Sequence, residues 1–420
     1  MPEGGGTGEP VRQSGLSSML WDTEAEAATG FSRGETRASV PAEWSPAWEF
    51  LDSPAEWSAP ALRREWERLT SDRGQPRHIY QTSAWFDHVV ATCSGQRVLL
   101  AVKRDADGQL EGLVPIRIAR EPLEFRVAGR ALGSLTTRNA LIMGGLAGVP
   151  EDRPILDSLF ASFSRTLPEC DAIRLSCVAV ESRLWSYLST ANLIRENFLL
   201  HVVQAVGPSY HILQLPATFD EYLARYSAKK RYNLKRQLRL LRDHGKGRLE
   251  LNRVESPEGV RQLLDAEAWV LSTPARSASL FAGRAYRTWR PDEVRDLAQR
   301  GFLRSYVLEC GGEPIGIIKG VQCGKTYSVM DTVYRDDHAS FSPGTTTLYL
   351  TIEDLLKHRP VDTIDFGFGT PRQSLHPSSV TLDMVSVLLL RKSLTNRIRR
   401  SCHAAFWSAM RLGRGIRDRI

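Results

Sequence analysis

The chain has 420 residues, of which 42% are hydrophobic and 25% are charged, and its formal net charge is +7. This length and apolar content allow a substantial core, and we expect two domains. The first twenty residues contain no apolar signal core, and no run approaches the roughly 20 apolar residues of a membrane-spanning helix. These features argue against a secreted or membrane-spanning protein, so we expect a cytoplasmic one.

Cysteine spacing and charge distribution exclude further classes. The six cysteines show neither a metal-binding nor a disulfide-dense pattern, so we expect incidental thiols in a reducing compartment and no metal. Residues 391–420 hold nine Lys or Arg and one Asp, a net charge of +8, and the other 390 residues therefore sum to −1. The basic excess lies in a tail and not on a recognition domain, which argues against nucleic-acid binding.

Residues 1–58 are rich in Gly, Ser, Glu and Pro and lack sustained periodicity, so we predict a disordered N-terminal segment. The exception is the aromatic segment from Trp44 to Trp48. It can dock on the same chain or on a partner, and we favour the same chain.

From about residue 59 the chain repeats one order of elements. Two apolar strands joined by a Gly-containing turn precede a helix, and another strand follows that helix. In the first copy these elements are 98–102, 113–116, 156–167 and 170–175; in the second they are 305–308, 314–318, 345–356 and 361–366. We predict two α/β domains, 59–210 and 211–390. Two unrelated α/β segments are the alternative, since such strands are common.

A basic helical stretch, 219–244, lies between the copies. An interrupted apolar stripe runs along it, and Lys or Arg occupies seven positions between 229 and 242, Arg231 among them. Such a charge run is usually a solvated face. The functional alternative is the capture of phosphate groups.

A late helix begins at Ser342-Pro343-Gly344, between two predicted strands. Ser suits an N-cap and Pro suits the first helical turn. The amides of Gly344, Thr345 and Thr346 are then expected to lack intrahelical partners at the positive end of the helix dipole, where a diphosphate such as that of coenzyme A can bind. Many helices begin in this way and bind nothing. Neither a Walker-type lysine nor the dinucleotide fingerprint is present.

The tail, 391–420, predicts a basic amphipathic helix that ends near Gly413. Its apolar positions are Leu394, Ile398, Cys402, Ala405, Phe406, Ala409 and Met410. This stripe can pack on its own domain, or it can lie on an anionic membrane face.

An ordered set of short motifs carries a family resemblance. The set comprises Trp66 to Leu69, Gln81 to Phe86, Gly112 to Pro115, Leu213 to Pro216, Lys230 to Leu234, Glu267 with Trp269, Gly312 to Ile315, Tyr334, Ser342 to Gly344, and Asp365 to Gly369. Over about residues 60–392 the chain resembles the GNAT-type acetyltransferases labelled CelD/BcsL-like, which are associated with cellulose and exopolysaccharide biosynthesis. These are related in fold to the Fem-type aminoacyltransferases, which carry two GNAT-like domains.

The resemblance implies tandem GNAT-like domains, each a mixed, mostly antiparallel sheet flanked by helices. It also implies direct transfer of an acyl group from acyl-coenzyme A to an amine or hydroxyl of a saccharide or cell-envelope precursor. A Fem-like aminoacyl transferase that uses aminoacyl-tRNA is one alternative, and a catalytically silent membrane-associated binding protein is another. The silent alternative arises because Thr370-Pro371-Arg372 stands where such proteins often carry a Tyr-Lys pair. The role of that lysine is then either moved to Arg372 or lost.

Either acceptor must lose a proton, so a positioned base is expected. Our candidates are Glu267, Asp331 and Asp365. The resemblance implies an acceptor channel near Glu267. The alternative is that Glu267 is an ordinary helix glutamate exposed to solvent. Tyr334 is a candidate acid for the leaving thiolate, although strand tyrosines are more often core residues, and His376 is a weaker candidate. The predicted coenzyme-binding residues are Ser342, Gly344, Thr345, Thr346 and Arg231.

Overall fold

The structure is a computed structural model that describes residues 48–70, 78–93, 95–127, 130–146, 148–203, 210–272, 289–368 and 379–417. The strands are β1 Glu49–Leu51, β2 Arg97–Arg104, β3 Leu110–Val127, β4 Arg130–Ile142, β5 Ala172–Ala179, β6 Phe198–Val202, β7 Tyr210–Gln214, β8 Leu249–Val254, β9 Ser305–Cys310, β10 Glu313–Cys323, β11 Thr326–Tyr334, β12 Thr363–Phe368, β13 Ser379–Leu382 and β14 Met384–Arg391. The α-helices are α1 Pro54–Trp57, α2 Pro60–Thr70, α3 Ser83–Thr92, α4 Arg153–Thr166, α5 Arg183–Thr190, α6 Asn192–Asn197, α7 Phe219–Ala224, α8 Ala228–His244, α9 Val260–Leu271, α10 Pro291–Gln299, α11 Pro343–Lys357 and α12 Leu394–Arg417.

The strands form two sheets of seven. The first has the order β1-β2-β3-β4-β5-β14-β6 and the second β13-β7-β12-β11-β10-β9-β8. Every pairing is antiparallel except β4 with β5 and β11 with β12. In each half a three-strand meander leads through a helix, α4 or α11, into a strand parallel to the last of the three. The predicted fold class, two mostly antiparallel sheets flanked by helices, is confirmed.

The two halves exchange a strand. β7 follows the first half in sequence but lies in the second sheet beside β12, and β14 returns from the second half to lie between β5 and β6. A division at residues 59–210 and 211–390 therefore assigns β14 to the second domain, whereas its pairing lies in the first sheet.

Apolar side chains occupy both faces of each sheet, which explains why β2 and β10 read as continuous buried runs. Helices α4, α5 and α6 cover the outer face of the first sheet. Helices α2, α3, α9 and α10 fill the space between the sheets in one shared core. Helices α7 and α11 cover the outer face of the second sheet.

Residues 48–58, which were predicted to be disordered, are packed. β1 pairs with β2, and the buried Trp48 donates from Nε1 to Ser158 Oγ at 3.0 Å. Trp48, Leu51 and Trp57 bury enough apolar surface to outweigh the Pro- and Ser-rich composition. Docking of the aromatic segment on its own chain is confirmed for Trp48. Trp44 lies outside the described residues.

The basic stretch is two helices and not one. The break lies between α7 and α8, where Tyr226 is buried and Ser227 begins the second helix, its hydroxyl accepting from the amide of Lys230. Exposed residues of α8 include Lys229, Lys230, Lys235, Arg236 and Arg239.

Candidate active site

The site is built around the start of α11, which lies close to its sheet. A Cβ on Gly316 of β10 would lie 2.5 Å from Thr347 Oγ1, and a Cβ on Gly344 would lie 3.0 Å from the ring of Tyr334. Only glycine allows these approaches without displacing a neighbour. The first turn of α11 is thereby held against the end of β11.

Ser342 occupies the N-cap position, but its side chain does not cap the helix. It adopts the left-handed conformation, with φ 54° and ψ 53°, because it also ends the 3₁₀ helix Asp336–Phe341. Its hydroxyl instead accepts from Gln237 Nε2 of α8 at 3.3 Å. The expectation of a side-chain N-cap was wrong for this reason.

Two amides remain available at the helix start. The amide of Thr346 donates to the carbonyl of Ser342 at 3.1 Å, so the expectation that it lacks a partner was wrong. Within the described residues, the amides of Gly344 and Thr345 donate no hydrogen bond. Gly344 is partly exposed and Thr345 is exposed, so these donors face an accessible surface at the positive end of the helix.

Helix α8 contacts the helix start through Gln237. A polar hollow of about 230 Å³ is bounded by Lys230, Asn233, Leu234, Arg236 and Gln237, the last of which touches Ser342. Arg231 is not among these residues. Its guanidinium donates to the carbonyl of Tyr226 at 2.7 Å and so supports the turn between α7 and α8.

Next to the helix start, the parallel strands β11 and β12 part. They pair only over Thr326–Ser328 and Thr363–Asp365, and β11 continues for six more residues, to Tyr334, beyond the end of that register. The continuing edge of β11 offers backbone groups to a ligand that enters between the strands. A gap between parting strands, next to a helix N-terminus, is compatible with a long molecule that carries an anionic group.

A buried cluster of one lysine and two carboxylates lies on the inner face of the second sheet. Lys319 Nζ is 2.6 Å from Glu267 Oε1 of α9 and 3.6 Å from Asp331 Oδ2 of β11. Glu267 and Lys319 are each only 1% exposed, whereas the Asp331 side chain is 16% exposed. Lys319 also lies 5.3 Å from the centre of the Trp289 ring. The cluster carries one more carboxylate than ammonium.

Burial raises the pKa of Glu267 above its usual value of 4.5, and Lys319 opposes this shift without cancelling it. Burial likewise raises the pKa of Asp331. Glu267 Oε2 is buried and has no hydrogen-bond partner among the described residues. The two carboxyl groups are therefore better proton acceptors than exposed ones.

Asp365 lies on the same sheet face as this cluster, but its carboxylate already accepts two hydrogen bonds. Asp331 pairs with Lys319, and Ser328 pairs with both Val321 and Asp365, so register places these residues on one face. Asp365 accepts from the Tyr210 hydroxyl at 2.7 Å and from the Gly367 amide at 2.8 Å. These bonds fix the end of β12 at a bulge where Gly367 has φ 65°.

Tyr334 lies on the opposite side of β11, with its ring against Gly344. The structure thus places Glu267 and Asp331 in one cluster, Asp365 elsewhere on the same face, and Tyr334 at the helix start. Arg372 and His376 lie outside the described residues.

Sequence reasoning missed Lys319, which joins the two carboxylates, and Gln237, which orients Ser342. The signal for Lys319 was present, since a lone lysine interrupts the apolar run from Ile315 to Val321. A charge within a strand buried on both faces requires a partner. Gln237 left no such signal, because a glutamine on a basic helix is ordinary.

Together these features place two structures on the second sheet: a helix start whose Gly344 and Thr345 amides bond to no described acceptor, and a buried lysine–carboxylate cluster. Residues 228–372, which are 145 of the 420 residues, match the family model described as Acetyltransferase (GNAT) domain. The matched segment contains α8, the lysine–carboxylate cluster and α11. The predicted class of enzyme, a GNAT-type transferase, is confirmed by this match.

Solved structures resemble the chain to different degrees. A crystal structure of FemX is 11% identical, with 78% of this chain and 96% of that chain covered and a TM-score of 0.53. A tandem GNAT protein from the clavulanic acid biosynthesis pathway (11% identity, 82% and 98% covered, TM-score 0.47) and L-PGS from Bacillus licheniformis (11%, 81% and 94%, 0.45) are looser likenesses that carry no argument about this chain. The likeness to FemX concerns the fold alone. None of the curated proteins compared with the chain matches it.

Two further findings concern the described part of the chain. None of its helices has the length and hydropathy needed to cross a bilayer. The same residues contain no group of three or more His, Cys, Asp or Glu side chains placed to hold a metal ion.

Proposed function

We propose that the protein transfers an acyl group, in the first instance acetyl, from acyl-coenzyme A directly to an amine or hydroxyl of a saccharide or cell-envelope precursor. The observation that carries the proposal is that the amides of Gly344 and Thr345, beside the gap between β11 and β12, bond to no acceptor in the described part of the chain. The GNAT match over 228–372 contains both features.

The coenzyme diphosphate would accept hydrogen bonds from these two amides, with exposed Lys230 and Arg236 adding positive charge nearby. Ser342 and Thr346 would shape this turn and would not donate their amides. The pantetheine arm would then run into the gap beyond Ser328, which brings the thioester to the free edge of β11.

In the transfer step the acceptor nitrogen or oxygen forms a bond to the thioester carbonyl carbon, and the carbon–sulfur bond breaks. Glu267 or Asp331 takes the acceptor proton, and the coenzyme leaves as a thiolate that is then protonated. Amides on the edge of β11 would stabilise the oxyanion. In this scheme Asp365 holds the end of β12 in place. Tyr334 lies beside Gly344 and would therefore face the bound coenzyme.

Calorimetric titration with acetyl-coenzyme A tests donor binding. Acetyl-pantetheine, which lacks the diphosphate, is the matched control ligand and should bind far more weakly. Equal binding of the two ligands, or no binding of the coenzyme at millimolar concentration, would overturn the assignment of the helix start. Release of free coenzyme A thiol in the presence of candidate amino sugars then identifies the acceptor.

The second candidate donor is an aminoacyl-tRNA, favoured by the exposed Lys and Arg residues along α8. Binding of tRNA through that face would weaken steeply with salt. Salt-dependent tRNA affinity together with indifference to acetyl-coenzyme A would favour this candidate over the first.

The setting of the reaction is also part of the proposal. Cellulose or exopolysaccharide biosynthesis is supported by the ordered motifs that resemble the CelD/BcsL-like proteins. A cytoplasmic location at the inner face of the membrane is supported by the basic tail, 391–420.

A further inference from the structure

Helix α12 packs on the first sheet through polar side chains and through the ring of Phe406, which contacts Phe125 of β3. Asn396 Nδ2 donates to the carbonyls of Asp171 and Arg391, and Arg399 forms an ion pair with Asp171 at 2.9 Å. One turn further, buried His403 lies 2.9 Å from buried His201 of β6. These contacts fix the rotation of the helix about its axis.

Five of the seven residues of the predicted apolar stripe consequently face away from the protein, whereas the ring of Phe406 packs on Phe125 of β3, 5.2 Å between ring centres. Leu394 and Ile398 are 76% and 55% exposed. Cys402, Ala405 and Ala409 continue the same line, and all are exposed. We call these five residues the α12 ridge; at 1.5 Å per residue it is about 22 Å long. Packing of the predicted stripe on its own domain, which the sequence left open, occurs at Phe406 and not at the five residues of the ridge.

The charges around the ridge indicate which kind of partner it can bind. Exposed Lys392 and Arg397 flank it, and the sequence holds no Asp or Glu between residues 391 and 417. Two copies of this chain meeting through the ridge would bring like charges together, which opposes association. An anionic lipid surface instead accepts the apolar line between headgroups and attracts the basic flanks.

We propose that the α12 ridge docks on an anionic membrane surface, with the helix lying in the plane of the headgroups. The inference does not depend on acyl transfer, since no residue of the ridge belongs to the candidate active site. It places the first sheet against the bilayer through α12, and the protein then works on acceptors held at or near that surface.

Sedimentation of the full chain with lipid vesicles tests the proposal. We expect binding to phosphatidylglycerol vesicles, weakened by salt, and little binding to phosphatidylcholine vesicles. The double variant Leu394→Gln, Ile398→Gln should lower the partition coefficient by about tenfold or more. Leu132→Gln is the matched control, because Leu132 is 69% exposed on β4, outside the ridge, and should leave binding unchanged.

All substituted positions are exposed, so unfolding temperatures should stay the same, and coenzyme binding serves as a check on the fold. The proposal would be overturned if the wild-type protein did not bind anionic vesicles. It would also be overturned if the ridge variants bound them as well as the wild type. Ultracentrifugation that shows a dimer abolished by the ridge variants, without vesicle binding, would overturn it in favour of a second copy of the chain.

Discussion

Removing a single amide hydrogen at the start of α11 tests the donor site with little other change. Thr345 is the third residue of the helix, its amide bonds nothing among the described residues, and its side chain is exposed. Thr345→Pro deletes this donor without breaking an intrahelical bond, since proline is tolerated in the first turn. The restriction that proline places on the preceding residue is mild here because that residue is Gly344.

A hydrogen bond to a charged group contributes about 1.5–3 kcal/mol, so loss of one diphosphate contact should weaken acetyl-coenzyme A binding by about tenfold to a hundredfold. Thr345→Ala keeps the amide and removes only the side chain, so its affinity should stay within about twofold of wild type. The assay is calorimetric titration of both variants, with thermal unfolding to confirm that α11 is intact. If Thr345→Pro melts normally and binds the coenzyme as tightly as Thr345→Ala does, the diphosphate does not bind at this helix start.

Three other predictions concern buried polar groups. Glu267→Gln should lower kcat by about a hundredfold or more without changing coenzyme affinity. It should also remove the acidic limb of the pH–rate profile, which we expect above pH 4.5 because burial raises the pKa of Glu267. An unaltered pH–rate profile would exclude Glu267 as the base. Burial, together with His403, lowers the pKa of His201 to about 4, so the unfolded state binds the proton more readily and stability should fall as pH drops from about 6.5 towards 4. Urea unfolding should show about 2 kcal/mol less stability at about pH 5 than above pH 7, a difference that His201→Gln should reduce; an equal pH dependence in the variant would assign the effect elsewhere. Arg304→Met should destabilise the protein by about 3–5 kcal/mol in the same assay. The reason is that the fully buried guanidinium donates to the Tyr306 hydroxyl, to Gln322 and to the carbonyl of Arg359. A decrease in the free energy of unfolding below about 1 kcal/mol would contradict this.

Local patterns predicted the elements that carry the site. The start of α11 after Ser342 follows from its Ser-Pro-Gly signal. The repeated order of elements predicted two similar sheets because each copy has the same hydrophobic spacing. These inferences succeeded because they depend on residues a few positions apart.

The remaining features depend on contacts between distant parts of the chain. The hydrophobic periodicity of the sequence does not indicate that β7 and β14 are exchanged between the sheets. Glu267 and Lys319 are 52 residues apart, and only the folded α9 brings them together. Periodicity located the stripe on α12 but could not show which side faces solvent, since the His201–His403 contact decides the rotation of that helix.

A crystal structure with bound acetyl-coenzyme A tests the central claim most directly. The account predicts diphosphate oxygens about 3 Å from the amides of Gly344 and Thr345. It also predicts the thioester at the edge of β11 beyond Ser328, on the side that reaches Asp331. A coenzyme bound at another surface, with both amides still facing solvent, would contradict the account.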